Sequence, residues 1–588
     1  MPDGRAGTSR SAAARRRRSG TARRRVAPRS RPRSDAYAGA DRTRRPHVRL
    51  VWIAVRFTSM TRAVVVGSGI GGTAATLLLA HAGVQVTLLE KNRRIGGSCS
   101  GYEKQGFHVD IGTHMFCRGN RGPLGDVLRR VGEDGAIRFI RTHDIAELRF
   151  FEPSQPSRVQ SVAVPADLRR MPRFAVELAL ALDLTMTEAF RAARLFTHIL
   201  TMSDEEVESW NHRTIEEFIE PFTDHAPTIA IFGFLLGLYF ILPYWEVSAG
   251  EALYCFRKMA RDNALSYPRG GSIAIPETYV RLAKQRGAEV RVGRGVKKIL
   301  VSGGRTTGVE LIDGTVLPAD VVVSTSSLRT TVNRLVGPEH FPGSFVERAR
   351  KIRGSYIAVQ AKIGLKKKLV SSGCLVGGVG DGVDLARVGT DDMKEMFRCL
   401  TRGEIPPIVP FYCPVPTNFD PSLAPPGHQL LTVCAVAPTT DVSLLSPPKA
   451  WESAMLQTIR RVVPGLDDHA LFIDTFDVDF IEAWIGKEFG PAVSTGQTPD
   501  QVGSRRPPVY TPVRGLYLAG CNAGARGVGT ELAAASAMEC VDRILADLGR
   551  TRAVAGGAPE PTGSLTARRV AEALARSAAR PIAWATRA

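Results

Sequence analysis

The sequence predicts an α/β protein: a Rossmann-type domain with an α+β domain inserted into it. Three observations carry that expectation. The stretch Ala63–Glu90, AVVVGSGIGGTAATLLLAHAGVQVTLLE, passes from four apolar residues through a glycine turn into an Ala/Leu-rich helical run, then into a second apolar strand, Val84 to Leu89. Near the other end, Gly515–Gly520 reads as a short strand, Cys521 to Gly529 as a Gly-rich loop, and Thr530 to Leu545 as a helix. At 588 residues the chain is also too long for one compact core, so two or more domains are expected.

The first unit places Gly67, Gly69 and Gly72 in G-x-G-x-x-G spacing between a strand and a helix. In this pattern Gly67 makes the tight turn, Gly69 lets the backbone approach a pyrophosphate, and Gly72 lets the helix pack close to the strand. The phosphates would sit on the free N–H groups and positive end of the helix. Glu90 ends the second strand, about 20 residues on, where the pattern expects an acid that accepts hydrogen bonds from an adenosine ribose. The unit therefore predicts a bound dinucleotide.

Lys91-Asn92-Arg93-Arg94-Ile95-Gly96-Gly97-Ser98 follows as a basic, Gly-rich loop. It offers Lys91, Arg94 and the amides of Gly96 and Gly97 to phosphate, with a plain surface turn as the competing reading. Gly106 to His114 reads as a short strand and turn closing over the cofactor.

Together the opening unit, RIGGS and FHVDIGTH resemble the phytoene desaturase-like branch of the FAD-dependent amine oxidase superfamily. That branch includes carotenoid desaturases, carotenoid isomerases and retinol saturases. The resemblance implies FAD as cofactor and a glutathione reductase-like FAD-binding domain. Ser98 departs from the pattern, because many relatives carry a second arginine there.

Residues from about 120 to 260 read as helical and lipophilic, with helices expected at Gly122–Gly132, Thr187–Met202, Thr214–Phe222 and Glu246–Asp262. The run Thr228 to Leu242 is either a buried core helix, the lining of an apolar tunnel, or a patch dipping into one bilayer leaflet. The turn Tyr267-Pro268-Arg269-Gly270-Gly271-Ser272 precedes a helix from Ile275 to Arg286, strands at Glu289–Val292 and Gly295–Val301, and hairpins at Ser302–Gly304 and Asp313-Gly314. In the resembling family this block returns to the FAD, and the backbone at the position of Val296 reads the adenine edge.

Longer strands follow at Tyr356–Ile363, Ile408–Cys413 and Gln429–Val436. The loop Asp420–His428, DPSLAPPGH, matches one found in phytoene desaturase-like enzymes and generally absent from amine oxidases proper. His428 on that loop reads as a solvated histidine rather than an acid or base. In relatives the C-terminal segment lies along the flavin, which assigns Gly520, Gly529 and Thr530 to cofactor binding. Cys521 reads as a small buried residue.

The expected layout is an FAD-binding domain from residues 60–120, 263–345 and 501–550, and a substrate domain from 121–262 and 346–500. Residues 551–588 form an Ala/Gly/Pro-rich tail ending in a basic stretch. Residues 1–59 hold 17 arginines against Asp3, Asp35 and Asp41, so +14 of the net charge of +21 lies there and only +7 in the rest. A body so nearly balanced is not a nucleic-acid binder. The leader is an over-extended start before Met60, a transit peptide, or an export signal whose VWIAV is too short an apolar region.

Nine scattered cysteines without a C-x-x-C argue against a disulfide framework or a metal site and fit a reducing compartment. With one dinucleotide motif, the resemblance implies FAD without a NAD(P) domain, and electrons leaving to oxygen or a quinone. The implied function is oxidation of a long lipophilic isoprenoid or polyene, foremost desaturation, by a cytoplasmic protein held at a membrane surface. Polyene isomerisation and a retinol saturase-like reduction share the same motifs. A true amine oxidase and a prenyl-binding chaperone of small GTPases rank below them. The catalytic residues are not assigned.

Overall fold

The structure is a computed structural model. It describes residues 60–550 except 143, 153–154, 166–176, 178–183, 227, 231–232, 234–238, 263–264, 381–388 and 439–444. The leader, the C-terminal tail and much of the run 228–242 lie outside the described residues.

The strand β1 (Arg62–Val66) is buried from Ala63 onward and lies at the centre of a five-stranded parallel sheet. On one side it pairs with β2 (Gln85–Leu89), which pairs with Glu289–Arg291; on the other it pairs with Val321–Ser324, which pairs with Leu516–Leu518. Strands buried on both faces are written as continuous apolar runs, as AVVV and VVVS are here. The helix α1 (Ile70–His81) is buried over every residue from Ile70 to Ala80. It shares one core with the helix Ala274–Gln285 and with α2 (Gly529–Asp547). An Ala/Leu helix that is apolar all round belongs in such a position.

A three-stranded antiparallel sheet, Val296–Ser302, Arg305–Leu311 and Val316–Pro318, sits beside this core. The helix Pro123–Arg130, expected to open the substrate domain, packs instead in the nucleotide-domain core through Leu124, Val127 and Leu128. The Tyr279 hydroxyl donates to the Leu124 carbonyl at 2.6 Å, and Arg130 pairs with Asp542 at 3.0 Å, which fixes the helix there.

The inserted domain is built on a seven-stranded sheet in the order Ala470–Phe476, Ile357–Leu365, Gln429–Ala437, Ile408–Pro414, Cys374–Gly380, Asp144–Glu152, Gln155–Pro165. Alternate residues divide its faces. Ile357, Val359, Ala361, Ile363 and Leu365 pack with Leu431, Val433 and Ala435 under the helix Pro448–Val462. Gln360 and Lys362 therefore project from the opposite face. The helical part of the insert comprises Met186–Thr201, Asp204–Ser209, Ile215–Ile219 and Ala249–Asp262 among the described residues. Phe240, from the lipophilic run, is fully buried in its core.

Candidate functional site: a cradle at two helix N-termini

The glycine turn after β1 is held from both sides. Gly67 N–H donates to the Leu89 carbonyl at 2.8 Å, and Gly96 N–H donates to the Ser68 carbonyl at 3.1 Å. A Cβ on Gly72 would overlap the Gly67 carbonyl oxygen, and one on Gly71 would lie 2.8 Å from the Gly520 Cα. These close approaches bring the start of α1 against the end of the strand Leu516–Leu518. Gly97 closes a third side, because a Cβ there would be 3.3 Å from the Gly69 Cα. Segments around 67–72, 96–98 and 520–530 thus meet, although up to about 450 residues of sequence separate them.

Gly69 is different. A Cβ built on it meets nothing within 4 Å, and the same is true of Gly529, where α2 begins. Open space over a turn that caps a helix, whose first N–H groups lack intrahelical partners, fits the phosphates of a dinucleotide. Of the residues expected to bind the cofactor, Gly67, Gly69, Gly72, Gly96, Gly97, Gly520 and Gly529 come together here, with Thr530 in the first turn of α2.

Of the other four, Glu90, Arg94 and Lys91 make contacts within the chain that the simplest expectation does not include. Glu90 is buried at 6% exposure, and its Oε2 accepts from Ser68 N–H at 2.9 Å and Ser68 Oγ at 2.6 Å. Its Oε1 accepts from Asn92 N–H at 2.8 Å. The carboxylate therefore fixes the glycine turn to the end of β2 and keeps only its remaining lone pairs for any other donor. Arg94 donates from Nη1 to the Gly101 carbonyl at 2.7 Å, so it braces its own loop. Lys91 donates from Nζ to the Ala483 carbonyl, on the helix Val478–Ile485 of the inserted domain. Both cations satisfy backbone carbonyls of this chain, and Lys91 ties the two domains together rather than reaching into the cradle. Val296 opens its strand just after Arg294, whose N–H donates to the Glu90 carbonyl at 2.7 Å, so its backbone runs beside the end of β2.

The loop Asp420–His428 has a structural task. Asp420 Oδ2 accepts from Gly270 N–H at 2.8 Å, and Oδ1 accepts from Ser422 N–H and Oγ. It therefore clamps the Tyr267–Ser272 turn, while Ser272 donates from N and Oγ to Asp110 Oδ1 at 3.0 and 2.8 Å. The His428 side chain hydrogen-bonds within its loop, to the Pro426 carbonyl at 3.1 Å, and packs edge-on to Phe107. Cys521 is beside the start of α2, with Sγ 3.0 Å from the Gly529 carbonyl, and burial pushes its thiol up. All nine cysteines are free.

Three buried polar groups escaped the sequence reading. Glu251 has no exposed surface; its Oε1 accepts from Gly527 N–H, and Arg506 and Arg526 each lie 3.5 Å from its carboxylate. This cluster holds the Gly-rich loop ahead of α2 against the helix Ala249–Asp262. Glu531, in the first turn of α2, accepts from Arg118 N–H at 2.8 Å, and burial pushes its carboxyl up to about 7 although Arg118 favours the charged form. Lys362 Nζ lies 3.0 Å from His114 Nε2 and donates to Gln360 Oε1 at 2.8 Å. Gln360 and Lys362, two residues apart on one face of an otherwise apolar strand, are the available signal for the last. Pairing it with His114, 248 positions away, needed the fold.

Comparisons with known proteins bear on the family and the fold. The model of the family described as flavin-containing amine oxidoreductase matches residues 70–545. The chain is 26% identical over 403 residues to a zeta-carotene-forming phytoene desaturase of Myxococcus xanthus, covering 65% of this chain and 73% of that protein. It is 26% identical over 412 residues to a phytoene desaturase of Neurospora crassa, covering 64% of this chain and 65% of that protein, just under two thirds of its length. An oxidoreductase from Methanosarcina mazei has the same fold, with a TM-score of 0.60 at 20% identity over 82% of this chain and all of that one.

Proposed function

Because the chain belongs to the flavin-containing amine oxidoreductase family, we propose that it desaturates CH–CH units of a long apolar isoprenoid or polyene, with oxygen or a quinone as final acceptor. The protein is an oxidoreductase and its cofactor is FAD. When bound, FAD supplies the two-electron acceptor for such a step.

The observation that carries the reading is the clamp between Asp420 and Gly270. It gives the loop that resembles the desaturase branch a defined place, against a turn of the nucleotide-domain block, and the relatives named above act on phytoene by their names. The chain's own residues do the rest of the work. The glycine turn and the two helix N-termini hold phosphate. The buried ion cluster at Glu251 fixes the loop that leads into α2. The aromatic side chains Phe116, Tyr267 and Phe419 pack in edge and tilted contact within the core of the nucleotide domain. For a hydrocarbon without lone pairs, orientation and burial are what a protein can contribute.

A polyene of this class dissolves in a bilayer, and we place the membrane contact on the helix Met186–Thr201. Met186 and Phe190, four residues apart on one face, are 87% and 70% exposed. Among the described residues no helix is long and apolar enough to cross a membrane, so the contact proposed is peripheral. The reading is tested by incubating flavin-loaded protein with phytoene in liposomes under air or with a quinone. Products of longer conjugation, absorbing in the visible, are expected; unchanged phytoene with every acceptor tried contradicts desaturation.

A further inference from the structure

Lys362 and His114 are a buried pair that the cradle does not explain. His114 is 5% exposed, Lys362 0% and Gln360 7%. Lys362 projects from the sheet face opposite the covering helix. His114 follows Gly112 and Thr113, whose N–H groups both donate to the Ser98 carbonyl at 3.0 Å. Ser98 is the neighbour of Gly97, which abuts Gly69. The pair therefore stands where the inserted sheet faces the glycine cradle.

The tautomer follows from the neighbours. Burial and the adjacent Lys362 charge hold His114 well below the usual histidine range, so the imidazole is neutral. Burial pushes Lys362 down to about 8, so its ammonium persists at neutral pH. An ammonium can only donate, which makes His114 Nε2 the acceptor and puts the ring proton on Nδ1. That Nδ1 is buried and has no hydrogen-bond partner among the described residues. A buried donor left without an acceptor carries its full desolvation penalty, so a partner is expected from something that binds. A hydrocarbon substrate has no acceptor atoms. The flavin ring, with carbonyl oxygens and ring nitrogens, has several.

We propose that His114 donates its Nδ1–H to an acceptor on the flavin ring and that Lys362, bonded behind it, places a positive charge against the same edge. The pair would then favour the form of the ring that gains negative charge on reduction. His114 is the group that touches the cofactor, and Lys362 is a positioning residue that acts through it. The choice of the ring over the substrate as acceptor rests on the hydrocarbon reading above.

The test uses the flavin-loaded full chain and reads the flavin rather than turnover. Wild type, His114→Leu, Lys362→Met and His428→Ala are compared for flavin midpoint potential and for the dissociation constant of sulfite, which adds to electron-poor flavins. His114→Leu and Lys362→Met are each expected to shift the reduction equilibrium at least tenfold toward the oxidised ring, about 30 mV for a two-electron couple, and to weaken sulfite binding in parallel. His428→Ala leaves both unchanged. In wild type the potential gains an extra downward step as pH passes about 8, where Lys362 loses its proton, and Lys362→Met lacks that step. The other groups facing Lys362 are His114, Asp110, Cys413 and Cys434; burial holds the thiols protonated across this range and Asp110 titrates below it.

Should His114→Leu not fold, His114→Met, which also lacks a donor, and Lys362→Met carry the same comparison. Folded variants that retain flavin with wild-type potential and sulfite affinity overturn the inference, and leave the cradle and the desaturase reading standing. Loss of flavin from wild type itself would instead overturn the cradle.

Discussion

Gly69 and Glu531 each give a prediction that a single side chain decides. Gly69 has an ordinary φ of −62°, and a Cβ there meets nothing within 4 Å. The fold therefore tolerates a side chain, so Gly69→Glu should purify folded yet without flavin, because its carboxylate occupies the phosphate space. A folded variant with full flavin absorption removes the cradle assignment. Glu531 is buried with its carboxyl raised from 4.5 to about 7, chiefly by burial. A carboxyl raised in the folded state contributes stability below the unfolded value and loses it as pH rises through the folded one. Relative to Glu531→Gln, which keeps the acceptor for Arg118 N–H, wild type should therefore lose up to about 3 kcal/mol between pH 4.5 and pH 7. Urea unfolding of both proteins at the two pH values measures this. A parallel pH dependence would mean that Glu531 is charged in the folded state.

At the scale of elements, the helices show how far local sequence reaches. Met186–Thr201 begins with a complete capping box, in which Thr185 Oγ1 accepts from Glu188 N–H and the Glu188 carboxylate accepts from Thr185 N–H. Its exposed pair Met186 and Phe190 has no such local reason. Replacing both with serine should leave the fold intact, because neither side chain is buried, and should cut cosedimentation with anionic liposomes severalfold. Unchanged liposome binding would remove the proposed membrane contact from this helix. The strand–turn–helix unit from β1 to β2 was legible because its signals are local: an apolar run, glycines at fixed spacing, an acid at the end. The same holds for the hairpin at Ser302–Gly304 and for α2. The places of Lys91 and Arg94 were not legible, since a basic side chain beside a phosphate loop reads as a phosphate ligand until its nearer carbonyl acceptors, Ala483 and Gly101, are known. That helix Pro123–Arg130 packs in the nucleotide-domain core is not legible for a similar reason: its partners Tyr279 and Asp542 are remote in sequence.

Across the whole molecule, function depends on joining segments that the chain order keeps apart. The five-stranded sheet gathers strands from residues 62–89, 289–291, 321–324 and 516–518, and the seven-stranded sheet is built from residues 144–165 and 357–476. Lys91 on Ala483, Asp420 on Gly270 and Glu251 on Gly527 are among the polar ties across that arrangement. The central claim is that these ties place an apolar CH–CH unit against FAD. An anaerobic titration of the flavin-loaded protein with phytoene, followed at the flavin band at roughly 450 nm, tests it. The account predicts bleaching in proportion to the double bonds formed, one per flavin, with colour restored by oxygen or a quinone. A flavin that stays oxidised at saturating phytoene, in protein that binds it, would contradict the account.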